Sequence, residues 1–531
     1  MKKLLLLLLF PILAYAQTSI QIGGDLRVGG KLTLANTSVI NIRDYGAVGN
    51  GTTDDASAIQ SAINAGTVIY IPKGNYKVGT PLTFSSDSIT VFGDGAGVSN
   101  ILFSREQTAA DTVGSMQNEA IATSCLVFGL PSKSYTSQKI YLRDFRIRYT
   151  GSWDIVNTDA TRYNGRSSGI LFGKILHARI NNVEVSNFNA MGISIQNNVM
   201  GIGYSEDIVI DGCYLHHNRV AGVRIGYVDG MVISNCELNY NGSSVGGGTG
   251  YGFTSYSSAM CKNITVHNNR ANYNWRKGID FHSGENIIIT GNTVKGNKLY
   301  GIDCEWTVAP TLGEGIQNVI VSNNIISEMS YDSTYFPSPY TWIAGMYLGV
   351  AKSGALDTNS SYNIKVTDNI IDNIGLTTQN TYPLYANFDF TRGMIDISRN
   401  QFKTVRTVTQ PVISLLVNDT SVVRNIMLKL RDNQIQMSHA TNAPIKIYGF
   451  SEMDISGNQI VIDSLDTVTG YGYFVGRSEI TSLVFIGNQH RAKDFTGTSM
   501  LNSYSQPWMT SRAYMKGNWL NGGIDSCNVQ N

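Results

Sequence analysis

Charge is what this sequence has little of: 15% of its 531 residues are Asp, Glu, Lys or Arg, and 40 basic side chains stand against 39 acidic ones. Binding to phosphates needs clustered Lys and Arg, so this balance excludes nucleic acid and anionic lipid as partners and favours a neutral or weakly charged one. The 6 cysteines show no CxxC or other metal-ligand spacing. They read as core fillers rather than as a metal site or a disulfide framework. After residue 16 there is no apolar run of the roughly 20 residues needed to cross a bilayer, so the mature chain is not expected to insert in a membrane.

The one long apolar run lies at the start. Met1-Lys2-Lys3, then Leu4 to Leu13, then Ala14-Tyr15-Ala16 before Gln17 follow the three-part pattern of a secretory signal peptide cleaved after Ala16. That predicts a protein outside the cytoplasm, secreted or carried on a virion tail. What is abundant is glycine, 54 residues of it, among many Asn, Ser and Thr, a mixture suited to many short strands joined by turns. At this length a single ordinary core is exceeded, and a repeat lets one core grow along an axis.

The repeat is legible from residue 180. Ile180-Asn181-Asn182-Val183, Ile210-Asp211-Gly212-Cys213, Ile233-Ser234-Asn235-Cys236, Val266-His267-Asn268-Asn269, Ile289-Thr290-Gly291-Asn292, Val321-Ser322-Asn323-Asn324 and Val366-Thr367-Asp368-Asn369 align, and units ending in Asn400, Asn433, Asn458 and Asn488 continue the series. Each is a strand and a tight turn. The last position is Asn in 8 of these 11 units, and most gaps run from 23 to 33 residues, the length of one solenoid coil. An inward Asn at the same turn of every coil predicts an internal ladder of side-chain hydrogen bonds. Cys213 and Cys236 fall in that column and read as stacked core residues before a disulfide.

A second strand follows the first, beginning at Gly192, Gly222, Gly252, Gly278, Gly301 and Gly345. With its aliphatic residues inside, alternation predicts an exposed column of Ser194, Arg224, Thr254, Asp280, Asp303 and Tyr347, and beside it Gln196, Tyr256, His282 and Glu305. Tyr331 to Trp342 supply an inserted loop of the kind that walls a groove.

Two further segments carry resemblances. Ile22-Gly23-Gly24-Asp25-Leu26-Arg27-Val28-Gly29-Gly30-Lys31-Leu32-Thr33-Leu34 alternates apolar residues with no core of its own. It resembles the glycine-punctuated β stalks of phage tail fibres and predicts association around a threefold axis. Ile42-Arg43-Asp44-Tyr45-Gly46-Ala47-Val48-Gly49-Asn50-Gly51-Thr52-Thr53-Asp54-Asp55, followed by Ala58-Ile59-Gln60-Ser61-Ala62-Ile63 and by Val68 to Tyr76, resembles the opening motif of the pectate-lyase-like superfamily. That family includes phage tailspikes, polygalacturonase-like hydrolases and related lyases. The resemblance implies a right-handed parallel β-helix with an N-terminal capping helix, in which Thr53 or Asp54 serves as cap, Ala58, Ile59, Ala62 and Ile63 form the apolar face and Gly66 ends it. The predicted divisions are a leader over 1–16, a β stalk over 17–40, the β-helix over 41–490 and a C-terminal cap over 491–531.

The chemistry points to Asp280, Asp303 and Glu305. Neighbouring strands lie about 4.8 Å apart, so carboxylates in equal positions on adjacent coils repel unless a proton, cation or ligand is shared. Paired carboxylates are what glycosidic hydrolysis needs, one protonated as acid and one ionised as base or nucleophile. Glu305 is the predicted acid and Asp280 or Asp303 its partner. Arg224, Tyr256, His282 and Tyr347 are candidate substrate contacts, with Trp275 and Trp306 as platforms for sugar rings. His216-His217 lacks further ligands and reads as a surface dyad, and no metal or cofactor is called for. The Asn-Thr-Asp, Asp-Asp, Gly-His-Gly and Arg-Ile-Lys signatures of polygalacturonases and the Asp-Pro-His of alginate epimerases are not matched.

The resulting expectation is a tailspike-like polysaccharide depolymerase, a glycoside hydrolase or polysaccharide lyase, acting as a homotrimer on a capsule, exopolysaccharide or O-antigen. The rivals are a secreted monomeric glycan hydrolase or lyase of the same fold, and a virion or surface adhesin that binds glycan without cleaving it.

Overall fold

The computed structural model describes residues 39–106, 123–129, 136–137, 139–151, 167–196, 203–243, 250–256, 260–305, 316–329, 342–350, 362–374, 380–388, 392–405, 410–417, 425–437, 443–462, 473–476, 481–492, 501–503, 513–520 and 523–524. The leader, nearly all of the stalk and the inserted loop before Trp342 lie outside these residues.

The described chain from Val39 onward winds as a right-handed parallel β-helix. Along one sheet Ile264, Ile287, Val319, Ile364, Ile395, Leu428, Met453 and Leu483 lie in register, coil over coil, each buried. Opposite it runs a second sheet, of 14 strands. There Phe253, Ile279, Ile302, Met346, Leu384, Ile413, Ile445 and Tyr473 form the matching inner column. β-Branched and aliphatic side chains at every second position fit such a stack, since each packs on its own kind above and below. A third sheet of shorter strands closes the coil, and it ends in an antiparallel pair, Trp519–Leu520 with Gly523–Ile524.

The Asn ladder is present and buried. The Asn269 amide N–H and its Nδ2 both donate to Asn292 Oδ1, at 2.9 and 3.1 Å, and Nδ2 also donates to Ile233 O at 3.0 Å. The backbone link repeats through Asn324, Asn369, Asn400, Asn433, Asn458 and Asn488. It reaches Asn518, one coil past the boundary predicted at residue 490. The residue before each rung has positive φ, for example Asn268 at 55°, Gly291 at 69° and Asp368 at 60°, which is why Asn, Asp and Gly fill that turn. At the upstream end Cys213 and Cys236 occupy the column as buried free thiols.

The opening helix α1 is Ala56–Ala65, its buried residues Ala56, Ile59, Ala62 and Ile63 joined to the solenoid core. The Asp54 carboxylate accepts from Ala56 N at 3.0 Å, and buried Asp55 accepts from Val48 N and Gly49 N at 2.7 and 3.0 Å. Both aspartates thus act as cap and turn residues, and Gly66 follows the helix.

Six successive strands of the second sheet are β1 Ala221–Gly226, β2 Tyr251–Ser255, β3 Lys277–Phe281, β4 Tyr300–Glu305, β5 Trp342–Val350 and β6 Asn380–Phe388. A glycine sits second in β1 to β4. A Cβ on Gly278 would stand 2.7 Å from Gly301 O and 2.9 Å from Asn297 Nδ2, so only glycine fits where the strands approach. Asn297 belongs to a further internal ladder, Asn218 to Asn241 to Asn274 to Asn297, linked backbone to side chain at 2.9 to 3.1 Å.

Candidate functional site

The outward column of the second sheet is where the structure departs from the alternation argument. Ser194, Arg224, Thr254, Asp280 and Asp303 do lie on the sheet's outer face in register, but they are buried, as is Tyr256. Alternation fixes which way a side chain leaves the sheet; it is silent on what packs over that face.

Asp280 and Asp303 are direct neighbours across β3 and β4, and a lysine that sequence reasoning missed lies between them. Lys277 Nζ is 2.9 Å from Asp280 Oδ1 and 3.0 Å from Glu305 Oε1, and it also touches Asp303 Oδ2. Strict alternation would send Lys277 inward with Ile279. The glycine at 278 breaks that period, and the residue before it leaves on the outer face, as do Tyr251 and Tyr300 in the same register. The signal available in the sequence was a lysine at a position that is Tyr or Ala on the adjoining strands.

The cluster is completed by His282, whose Nε2 is 2.9 Å from Asp280 Oδ2 and whose Nδ1 is 3.5 Å from Glu305 Oε1. Thr254 donates its hydroxyl to Asp280 Oδ2 at 2.6 Å, and Ser255 Oγ accepts from His282 N at 2.9 Å. The side chains of Lys277, Asp280 and Asp303 are 0% exposed, whereas His282 and Glu305 keep 14% and 18% of theirs in contact with solvent. The cluster therefore has a buried floor and a two-residue mouth.

Electrostatics divides the two aspartates. Burial, the negative charge of Glu305 and that of Asp280 raise the proton affinity of Asp303 well above the ordinary carboxylate range, outweighing Lys277. For Asp280 burial also favours the neutral acid, but His282, Lys277 and the Thr254 hydroxyl outweigh it and hold the group ionised far below its usual value. Asp303 Oδ1, fully buried, has no hydrogen-bond partner among the described residues. The sequence reading gave the acid role to Glu305; the carboxyl group whose proton affinity burial raises is that of Asp303. Lys277 is held charged, since its three carboxylates outweigh its burial.

Atoms of Asp280, His282 and Glu305 that could ligate a cation lie within 4.8 Å of one another. The Lys277 ammonium already supplies positive charge to two of these three groups.

The other predicted contacts fall into separate places. Arg224 stacks its guanidinium 3.5 Å from the centroid of the Tyr256 ring, upstream of the acids. Half-buried Trp275 has Lys298 Nζ 3.7 Å from its ring centroid, so one face of this platform is occupied. Tyr347 is in register with Asp303, one strand on. Trp306 lies outside the described residues. His216 and His217 meet through Nδ1 atoms at 2.7 Å, and His216 Nε2 is 3.3 Å from Glu184.

A family model for the right-handed β-helix region matches residues 146–314, a span that includes every residue of the acid cluster. The pre-neck appendage protein of Bacillus phage B103 is 28% identical over 159 residues, 29% of this chain and 16% of that protein. Rhamnogalacturonase A of Aspergillus niger is 39% identical over 88 residues, 15% of this chain and 20% of that enzyme. The chain thus spans a fifth or less of the length of these curated relatives. Among solved structures, the pre-mature bacteriophage phi29 gene product 12 aligns over 90% of this chain and 73% of its own, at 12% identity and a TM-score of 0.45. The Dettilon tailspike protein aligns over 73% of this chain and 68% of its own, at 14% identity and a TM-score of 0.45.

Proposed function

We propose that this right-handed β-helix is a tailspike-like polysaccharide depolymerase that binds an extended glycan along the outer face of its second sheet and cleaves it at the Asp280–Asp303–Glu305 cluster. What supports this reading is a pair of carboxyl groups facing each other on adjacent strands around one ammonium, with surroundings that push Asp303 toward its protonated form and Asp280 toward its ionised form. Replacing a buried ion network by apolar residues is often neutral or stabilising, so a scaffold gains little by keeping one. Glycosidic cleavage needs what such a network supplies, a proton donor for the leaving oxygen and a negative charge for the developing cation or for activating water.

In this reading Asp303 and Glu305 act as a coupled acid pair. Asp303 holds the proton, and Glu305, which reaches the mouth, meets the glycan. Asp280 stays ionised and orients His282 at the same mouth, while Lys277 fixes the three carboxyl groups in place. Half-buried Tyr347 lines the approach on one side, while Arg224 and Tyr256 are buried against each other upstream. The host polysaccharide is a capsule, exopolysaccharide or O-antigen, and the chain works as a homotrimer outside the cytoplasm, assembled through the segment over 17–40.

The test is Glu305→Gln on the full chain, followed by release of reducing ends from a polysaccharide that the native protein depolymerises. Cleavage should fall at least about a hundredfold, the scale of a lost general acid–base group, while glycan binding and melting temperature stay as they were. Full activity in this variant sinks the assignment. The complete burial of Lys277, Asp280 and Asp303 favours one second reading, a glycan adhesin whose internal network is only structural. Binding without any release of reducing ends or unsaturated products would select it.

A further inference from the structure

Downstream of the acids the outer column changes character. Asp303 is followed in register by Tyr347 on β5, Tyr385 on β6 and Ser414 on the next strand, none of them charged. Around these two tyrosines stand Trp342 and Tyr382. The Trp342 ring lies edge-on to Tyr347, Tyr385 and Tyr382 at centroid distances of 5.1, 5.0 and 5.8 Å, and it stacks on Tyr300 at 4.9 Å. Tyr347 and Tyr385 stack on each other at 5.6 Å with an 18° interplanar angle. Trp342, Tyr347, Tyr382 and Tyr385 are each half-buried, so this aromatic group is in part open to solvent, unlike Asp280 and Asp303 beside it.

Strand spacing puts Tyr347 and Tyr385 about 5 and about 10 Å along the coil axis from Asp303, a reach of one or two sugar units. Aromatic rings attract the C–H faces of pyranoses through apolar contact and their negative π faces. The four rings carry no cation to pair with a sugar carboxylate, and the Lys277 ammonium next to them is already shared among three carboxyl groups. We infer that the Trp342–Tyr347–Tyr382–Tyr385 shelf is a sugar subsite that holds the apolar face of an uncharged pyranose of the same glycan. The inference rests on the proposed carbohydrate function and narrows it to a chain that is neutral at this position.

Affinity electrophoresis of the full chain through gels containing dextran, galactomannan, polygalacturonate or alginate tests it. Retardation is expected in at least one neutral gel and weaker retardation in the acidic ones. Tyr385→Ala and Trp342→Ala should each raise the apparent Kd at least about tenfold, or about 1.4 kcal/mol, while Tyr385→Phe, which keeps the ring, should bind as the native chain does. Should Tyr385→Ala fail to fold, Tyr385→Leu keeps apolar bulk without the ring and replaces it. Retardation by acidic gels alone, by none of the neutral gels, or to the same degree in the alanine and native chains overturns the subsite. Cleavage that depends on Glu305 with binding indifferent to Tyr385 would remove the shelf and leave the proposed function standing. Binding that depends on Tyr385 without cleavage would do the reverse.

Discussion

The solenoid buries two kinds of polar column, and they are built on opposite principles. In the Asn ladder every rung is neutral and identical, each amide oxygen receives two donors from the coil before it, and the pattern runs from Asn269 to Asn518. In the Lys277 cluster a lysine meets two aspartates and a glutamate, the set spans two coils, and one carboxyl oxygen is left without a hydrogen bond among the described residues. A ladder satisfies its polar groups by repetition, so it costs little to extend and specifies the coil. The cluster is satisfied only through shifted protons and a single ammonium, which is the arrangement expected where reactivity rather than regularity is being held.

The largest effect should come from removing that ammonium. Lys277→Met leaves three carboxyl groups without their shared cation, and losing one partner of a buried ionic network costs about 3–5 kcal/mol. Chemical denaturation at neutral pH should show it. The deficit should narrow as pH falls and the carboxylates take up protons; a deficit independent of pH would mean that Lys277 acts by packing alone.

Breaking the ladder should cost up to a comparable amount, and without any dependence on pH. Asn324→Ala strands the Asn292 N–H and the Ile289 carbonyl that Asn324 now satisfies. Each orphaned buried group costs about 1–3 kcal/mol. The same denaturation series should place this variant below the native chain by a constant margin from acid to neutral pH.

A smaller change separates the two aspartates of the cluster by the sign of their proton linkage. Asp303 binds its proton more tightly in the folded chain, so stability declines as pH rises from the ordinary aspartate value of about 3.9 toward the raised folded one. Asp280 has the opposite shift, so its contribution is present above about pH 3.9 and is lost as pH falls below it. Melting curves of Asp303→Asn should lack the decline on the rising side. An unaltered pH profile would show that Asp303 carries no raised proton affinity.

The smallest effect belongs to the surface. Asn263, Asn286 and Asn318 form a third amide ladder at solvent-facing strand positions of positive φ, with side-chain links of 2.9 and 3.0 Å. Water replaces such bonds when they break, so Asn286→Ala should stay within about 0.5 kcal/mol of the native chain. A loss as large as that of Asn324→Ala would contradict burial as the source of the ladder's strength.

The legible parts of the molecule are those that repeat. The column from Asn269 to Asn488 could be read because one residue type recurs at one turn of each coil, and the position before it must accept positive φ. The ladder from Asn218 to Asn297 had the same signal, with steps of 23, 33 and 23 residues, five residues behind the first. It escaped because the alignment followed the first turn of each coil alone. Asp280, Asp303, Glu305 and His282 were legible as neighbours because parallel strands in register place equal positions side by side. Lys277 was not, because a glycine inside the strand breaks the alternation on which the reading relied.

By itself, then, the sequence determined the coil: its period, its inner aliphatic columns, its amide ladder and the pairing of two aspartates, all consequences of short-range geometry repeated along the chain. Only the tertiary structure decided that the aspartates are buried, that a lysine lies between them, in which direction the proton affinity of each moves and that an aromatic shelf adjoins them. The reason is physical. Register follows from local hydrogen bonding and side-chain alternation, whereas burial and proton affinity depend on every group packed over a site, whatever its distance along the chain.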